Sequence, residues 1–408
     1  MTFSNSTQSP ARSGTPPGES TRTTSQTGLL VQYIAVAGSV AGILFVCAIL
    51  LELLSFLAWS AGHLFRVAQP FQASSPVYSH YDWAAEYWHE ESRSSVVRNY
   101  VPFRIWGNMP FHGKYLNTDE SEMGILRRTI APPHSCATKE EIHVWVFGGS
   151  AVYGIGVPDW ETIPSYLSLD FNRGSPKCVI VANLGVEGYV SNQELILLME
   201  RLKAVRRPPD IIIFYDGFND VLAALDSADP AHFHVSLETI RARVQGLVEG
   251  RLDFLAKTYT VRLARLIVRH FHAKGPAPSV ANLPISAAAI LDNYEGNLRL
   301  ARALAQTYNC KLYDFWQPSL YYGNKALVPF ERRVAESKDL ASIAGSAVYG
   351  EAERRAASDH SFIFLGSLFD DVREPIYVDQ VHVGPRGNEL AAEAITRYIA
   401  TDLNKSGQ

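Results

Sequence analysis

The chain has 408 residues, 37 of them Lys or Arg against 41 Asp or Glu, for a net charge of −4; hydrophobic residues make up 47 % and charged residues 19 %. This composition excludes collagen-like and low-complexity classes, and its near-neutral charge offers no global footprint for nucleic acid. Four cysteines cannot form a disulfide scaffold, and no C-x-x-C pair marks a zinc or redox site.

Residues 1–28 are rich in Ser, Thr, Gly and Pro, too polar to bury the apolar surface that would offset ordering entropy, and read as a disordered tail. Residues 29–51 then run without a charge. At about 1.5 Å per residue, a helix of this length crosses a hydrocarbon core of roughly 30 Å, so residues 29–58 are read as a transmembrane anchor with Glu52 near the interface. A cleaved signal peptide would have a shorter apolar region behind a brief basic stretch. Arg12 and Arg22 before the span, against Arg66, Arg93 and Arg98 after it, do not discriminate its orientation. Gly38 and Gly42 have a spacing that lets two such helices approach closely.

An aromatic-rich connector follows over residues 59–140, with ten aromatic residues from Tyr78 to Tyr115. Packing against a following domain is the simpler role for these rings; stacking on sugar faces is the alternative. From residue 141 the pattern changes to short apolar runs alternating with helical stretches. Residues 143–147, 179–184, 211–215 and 311–315 read as strands, rich in Val, Ile and aromatics and bounded by turn residues. Ser191 and Glu194 suggest a capping box for a helix that Pro208 and Pro209 stop. Further helices are expected over residues 287–306 and from Pro385 onward. This alternation predicts a doubly wound, mainly parallel, five-stranded α/β sheet of flavodoxin-like three-layer type, behind one N-terminal transmembrane helix. Such sheets bind ligands beyond the carboxyl ends of their strands.

The motifs lie at those ends. Gly148-Gly149-Ser150 follows the first strand and would expose a serine hydroxyl on a sharp turn. The G-x-S-x-G elbow fails because Val152 stands where glycine is needed, and the P-loop fails at Ile155. Gly185 follows the second strand, and Gly217-Phe218-Asn219-Asp220 the third. Asp379-Gln380-Val381-His382 precedes the last helix, where the carboxylate can orient the imidazole and stabilise its protonated form.

Carried by these four blocks in this order, residues 141–408 resemble the SGNH hydrolase superfamily, the GDSL-like esterases and lipases, in a membrane-anchored bacterial-type form. Gly149 stands where the family usually has aspartate, a position outside the triad. The resemblance implies Ser150 as nucleophile, His382 as general base and Asp379 as its orienting acid. It also implies an oxyanion hole from the Ser150 and Gly185 backbone N–H groups with the Asn219 side chain, and no cofactor or metal. The implied reaction is cleavage of a carboxylic ester through an acyl-serine intermediate, on an O-acyl group of an envelope glycan or on a lipid, with the domain on the extracytoplasmic (periplasmic) side. The alternatives are an O-acyltransferase using the same triad and a non-catalytic glycan- or partner-binding domain.

The remaining candidates carry less. His232 with His234, and His270 with His272, have H-x-H spacing, the second pair within a basic amphipathic stretch at 262–274 that reads as exposed helix surface. Cys136, Cys178 and Cys310 allow at most one disulfide among them. Residues 319–376 interrupt the passage to the histidine turn as an excursion, either a lid or surface decoration.

Overall fold

A computed structural model of the chain describes residues 26–68, 74–94, 99–132, 136, 139–229, 231, 233–235, 240–241, 244, 258–264, 283, 285–336, 339–359 and 361–406. The described residues fall into two compact units, one within 1–60 and 255–268, the other within 61–254 and 269–408. His232, His270, His272, most of the basic stretch and the first 25 residues lie outside the described set.

The first unit is built on α1 (Gln26–Ala68), which begins inside the segment read as the tail. Its stretch Leu30–Ala61 is long and apolar enough to cross a membrane, and the most apolar part of it is covered by no other part of the chain. Glu52 does more than reach outward: its carboxylate accepts the backbone N–H groups of Tyr259 (2.5 Å) and Thr260 (2.9 Å) and the Thr260 hydroxyl (2.8 Å). These are the orphan donors at the start of the helical turn at 259–264, so Glu52 caps it from a distant part of the chain.

In the second unit one sheet runs from the connector through the α/β domain. The connector supplies a helix, α2 (Ala84–Ser94), a small hairpin of β1 (Asn99–Val101) and β2 (Ile105–Gly107), and three strands, β3 (Phe111–His112), β4 (Asn117–Ser121) and β5 (Gly124–Arg127). The domain supplies β6 (Glu141–Gly148), β7 (Cys178–Asn183), β8 (Ile211–Asp216), β9 (Lys311–Trp316) and β10 (Ile363–Phe364). The order is β10-β9-β8-β6-β7-β5-β4-β3, the first five parallel and the last three joined antiparallel. The expected five parallel strands are therefore present, but the sheet does not end there. The connector extends it past β7, where Arg127 pairs with Asn183.

Side-chain alternation explains why the strands are apolar throughout. Val144 and Val146 of β6 face one layer, with Ile163 and Leu167 of α4 (Ile163–Asn172) and Ala391, Ile395 and Ile399 of α10 (Pro385–Ser406). Trp145 and Phe147 face the other, with Leu197, Leu198 and Leu202 of α5 (Ser191–Ala204) and Ala301 of α7 (Ala287–Thr307). Both faces are covered, as a parallel sheet requires, and each such side chain contributes about 1.5–3 kcal/mol.

Two sequence expectations change here, for Ser191 and for residues 319–376, while the packing role expected of the connector rings holds. Ser191 is not the cap of α5: Val190 precedes the helix in extended conformation, and the Ser191 N–H and hydroxyl both donate to Asp220 (3.1 and 2.5 Å). Asp220 thus satisfies a donor that a local cap would have taken, and Glu194 is free to turn inward, where it is fully buried. Tyr78, Tyr87, Trp88 and Tyr115 form a buried cluster with Val378, so these connector rings are packing residues and no sugar platform; Tyr100 and Phe103 alone of the ten lie widely exposed. Residues 319–376 are neither lid nor decoration. They contribute β10 and α9 (Leu340–Asp359), whose Val348, Tyr349 and Ala352 are fully buried against α6 (Phe218–Ser227) and α7. Cys136 and Cys178 form a disulfide, while Cys310 is buried and free and Cys47 exposed and free.

Candidate active site

β6 ends at Gly148, and the chain turns directly into α3 (Ser150–Tyr153), a single helical turn whose first residue is the serine. A Cβ at position 149 would lie 2.4 Å from Asn219 Nδ2 and 3.3 Å from the Tyr189 carbonyl oxygen. With Asn219 in its present position, a side chain at 149 would have to displace the Asn219 amide. The Ser150 hydroxyl lies 2.6 Å from His382 Nε2, and His382 Nδ1 lies 2.7 Å from Asp379 Oδ2. All three residues expected to form the triad are brought together across 232 residues of chain.

The histidine turn is a tight, heavily bonded structure. Val378 N–H donates to the His382 carbonyl (2.8 Å), and Tyr377 and Val383 form an isolated antiparallel bridge. Asp379 Oδ1 accepts the N–H groups of Val381 (3.0 Å) and His382 (2.8 Å), leaving Oδ2 for the imidazole. Beneath it, Glu331 of α8 (Pro329–Ala335) accepts the N–H groups of Ile376 (2.8 Å) and Tyr377 (3.0 Å), its charge matched by the buried Lys325 ammonium at 2.8 Å. Burial disfavours the charged form of each partner in the relay, and their mutual attraction outweighs it. His382 is thereby raised above the ordinary histidine value, by the Asp379 charge and hydrogen bond, while His382 and the two backbone donors hold Asp379 below the usual carboxylate range.

The oxyanion donors differ from expectation at one position. Gly185 N–H donates to Asn183 Oδ1 at 2.9 Å and is already used; a Cβ there would lie 2.3 Å from the Tyr153 nitrogen. Gly185 is needed for close packing of the second loop on the nucleophile's helix. Three residues on, Gly188 has a positive φ of 72°, and its N–H and that of Ser150 have no acceptor among the described residues. Asn219, at the start of α6, donates one amide hydrogen to the Tyr189 carbonyl (2.8 Å) and keeps a second for a ligand. The sequence contained the signal for Gly188, a second glycine in the same loop, but spacing alone could not tell which glycine N–H is engaged within the protein. His234 is buried, its Nδ1 2.9 Å from the Val235 carbonyl and its ring edge-on to Trp106, a packing role.

A small cavity is lined by Ser94, Trp106, Asn108, Met109 and Phe111 of the connector and by Tyr153, Val186 and Glu187 of the domain. The Trp106 indole N–H bonds the Glu187 carbonyl (2.9 Å) and Asn108 bonds the Gly185 carbonyl (3.2 Å), so the connector also holds the oxyanion loop.

The model of the GDSL-like lipase/acylhydrolase family matches residues 144–395. No curated protein matches the chain by sequence. Among solved structures it is similar to a lipolytic protein of the G-D-S-L family from Veillonella parvula, at 14 % identity over 62 % of this chain and 94 % of that one, with a TM-score of 0.34. It is also similar to a putative arylesterase from Agrobacterium tumefaciens (14 % identity, 64 % and 99 % covered, TM-score 0.36) and to a catalytic mutant of an acetylxylan esterase from Geobacillus stearothermophilus (14 % identity, 66 % and 95 % covered, TM-score 0.34).

Proposed function

This chain belongs to the GDSL-like lipase/acylhydrolase family and is a serine hydrolase of ester bonds, and on that premise we propose that Ser150, His382 and Asp379 are its triad and that it removes O-acyl groups from an envelope glycan or a lipid. The observation that carries this reading is the continuous hydrogen-bonded relay from Asp379 through His382 to the Ser150 hydroxyl.

The chemistry follows from that geometry. His382 Nε2 takes the Ser150 proton as Oγ bonds to the ester carbon, and the carbonyl electron pair moves onto oxygen. The Ser150 and Gly188 N–H groups and the Asn219 amide receive that oxyanion; fixed donors of this kind are worth about 3–4 kcal/mol each in a transition state. Asp379 stabilises the imidazolium while it lasts. Collapse breaks the bond to the alcohol oxygen, which leaves with the proton from His382, and the acyl group stays on Ser150. Water then gives its proton to His382 and attacks the acyl carbon, and the second collapse returns the proton to Oγ and releases the acid.

Two features support an anchored enzyme with its domain on the extracytoplasmic side: the uncovered apolar helix α1, and the Cys136–Cys178 disulfide, a bond that persists in oxidising compartments. An alkaline phosphatase fused at the C-terminus is expected to be active in cells; an inactive fusion beside a fluorescent cytoplasmic reporter refutes that placement.

The function itself is tested with the full chain in detergent on a small chromogenic acetate and on acylated glycan. Wild type is expected to release free acid in excess of any transfer product, and Ser150→Ala to lose about 10⁴-fold or more in kcat. Unchanged hydrolysis in Ser150→Ala removes the assignment of the nucleophile, and transfer product in excess of free acid removes the hydrolase reading.

A further inference from the structure

Ser150 opens a helix of one turn, too short to hold its own position, and the far end of that turn is gripped by side chains from outside it. The Val152 carbonyl accepts from Asn183 Nδ2 at 2.9 Å. The next two carbonyls, Tyr153 and Gly154, accept from Arg127 Nη1 at 3.3 and 3.4 Å, and the Val157 carbonyl from Nη2 at 3.0 Å. Arg127 Nε donates to Asp159 Oδ1 at 2.6 Å, and the guanidinium lies 5.0 Å from the centre of the Tyr153 ring. Asp159 is held in turn by the Asn117 N–H and amide, at 3.1 and 2.7 Å. The Tyr87 hydroxyl donates to the Gly154 carbonyl (3.2 Å) and accepts the Gly156 N–H (3.0 Å).

Arg127, Asn117 and Tyr87 all belong to the connector. The Arg127 side chain has no exposed surface, and burying a guanidinium costs several kcal/mol unless its donors are matched. Here a planar fork matches one carboxylate and three carbonyls, at the end of a helix where carbonyls are unpaired and positive charge is favoured. An apolar side chain of equal size would leave the Tyr153 and Val157 carbonyls without this donor, the Gly154 carbonyl with only Tyr87 and the Val157 N–H, and Asp159 without its cation.

We propose that Arg127 is a positioning residue for Ser150: by holding the carbonyls that follow the nucleophile's single helical turn, it makes the connector part of the catalytic apparatus without touching substrate. The proposal rests on the serine-esterase reading. Its test compares wild type, Arg127→Met, Arg127→Lys and Tyr87→Phe in the full chain. Each is followed by its thermal melt, by kcat and KM on the chromogenic acetate, and by the rate at which a fluorophosphonate labels Ser150.

Arg127→Met is expected to keep a cooperative melt and a KM within about threefold of wild type, while kcat and the labelling rate fall about 10²-fold, the scale of a misplacement near 1 Å. Arg127→Lys, which keeps the charge and fewer aligned donors, is expected to recover to within about tenfold. A folded Arg127→Met with both rates within threefold of wild type overturns the proposal, as does a variant that loses stability or raises KM with labelling unchanged. Should Arg127→Met not fold, Tyr87→Phe decides: a drop of about fivefold or more in both rates supports the proposal, and wild-type rates overturn it. Wild type active with Ser150→Ala inactive keeps the serine-esterase reading intact whatever the Arg127 variants do, so the two failures are distinguishable.

Discussion

Asp379 and Asp216 are both aspartates beside the active-site end of the sheet, and their surroundings treat them oppositely. Asp379 meets an imidazole and two backbone N–H donors, which together overcome burial and keep it ionised. Asp216, the last residue of β8, lies 2 % exposed among Glu194, Asp220 and Asp314, with the Tyr294 hydroxyl shared between Asp216 and Asp314 and no cation bonded to Asp216 among the described residues. Burial pushes Asp216 up to about 6, with the Asp220 charge adding to the effect, and raises Glu194 and Asp314 well above the carboxylate range. The difference lies in partners and not in depth. A carboxylate with matched donors stays charged beside a histidine, whereas burial outweighs the few favourable partners of Asp216, Glu194 and Asp314 and favours their protonated forms. The first arrangement orients the imidazole that reaches Ser150; the second ties α5, α6 and α7 to β8 and β9.

The larger expected effect comes from the Asp379 end. Asp379→Asn keeps the shape but removes the charge, and kcat is expected to fall about 10⁴-fold. In wild type the acid limb of kcat/KM has its midpoint above 6.5, because His382 must be neutral to act as base and is raised by Asp379. In Asp379→Asn the midpoint is expected to move to lower pH, since burial is then opposed only by the more distant Glu187 and Glu91 charges. A stopped assay series across pH checks both, and an unmoved midpoint breaks the comparison.

The smaller effect belongs to Asp216 and is one of stability. Its folded value is raised, so the stabilisation it gives is complete below the unfolded value of 3.8 and is lost as pH rises through about 6. Asp216→Asn, which can still accept from Tyr294, is expected to flatten the decline of Tm between pH 4 and pH 7. An equal slope in both proteins means that Asp216 carries its charge after all.

Strand positions were legible because a parallel strand must be apolar on both faces: the runs at 143–147, 179–184, 211–215 and 311–315 each match an observed strand within two residues at either end. β10 was not, since two residues have no period to read, and β3 to β5 carry charges at an antiparallel edge, as in Asn117–Ser121. Ser150, His382 and Asp379, which the fold brings into one hydrogen-bonded relay, were visible as motifs. The loop after β7 was visible as a loop, but that Gly185 packs on α3 and bonds Asn183 while Gly188 takes a positive φ is decided by the folded backbone.

By itself the sequence determined the α/β alternation, the apolar helix, and the motifs at the strand ends, because each depends on residues near one another in the chain. Tertiary structure alone decided that the Gly185 N–H is taken by Asn183, that Asp220 caps α5, and that Arg127 and Glu331 bond the backbone around Ser150 and His382 from outside the motifs. A buried charge takes its meaning from the partners that folding brings to it, and those partners stand tens of residues away.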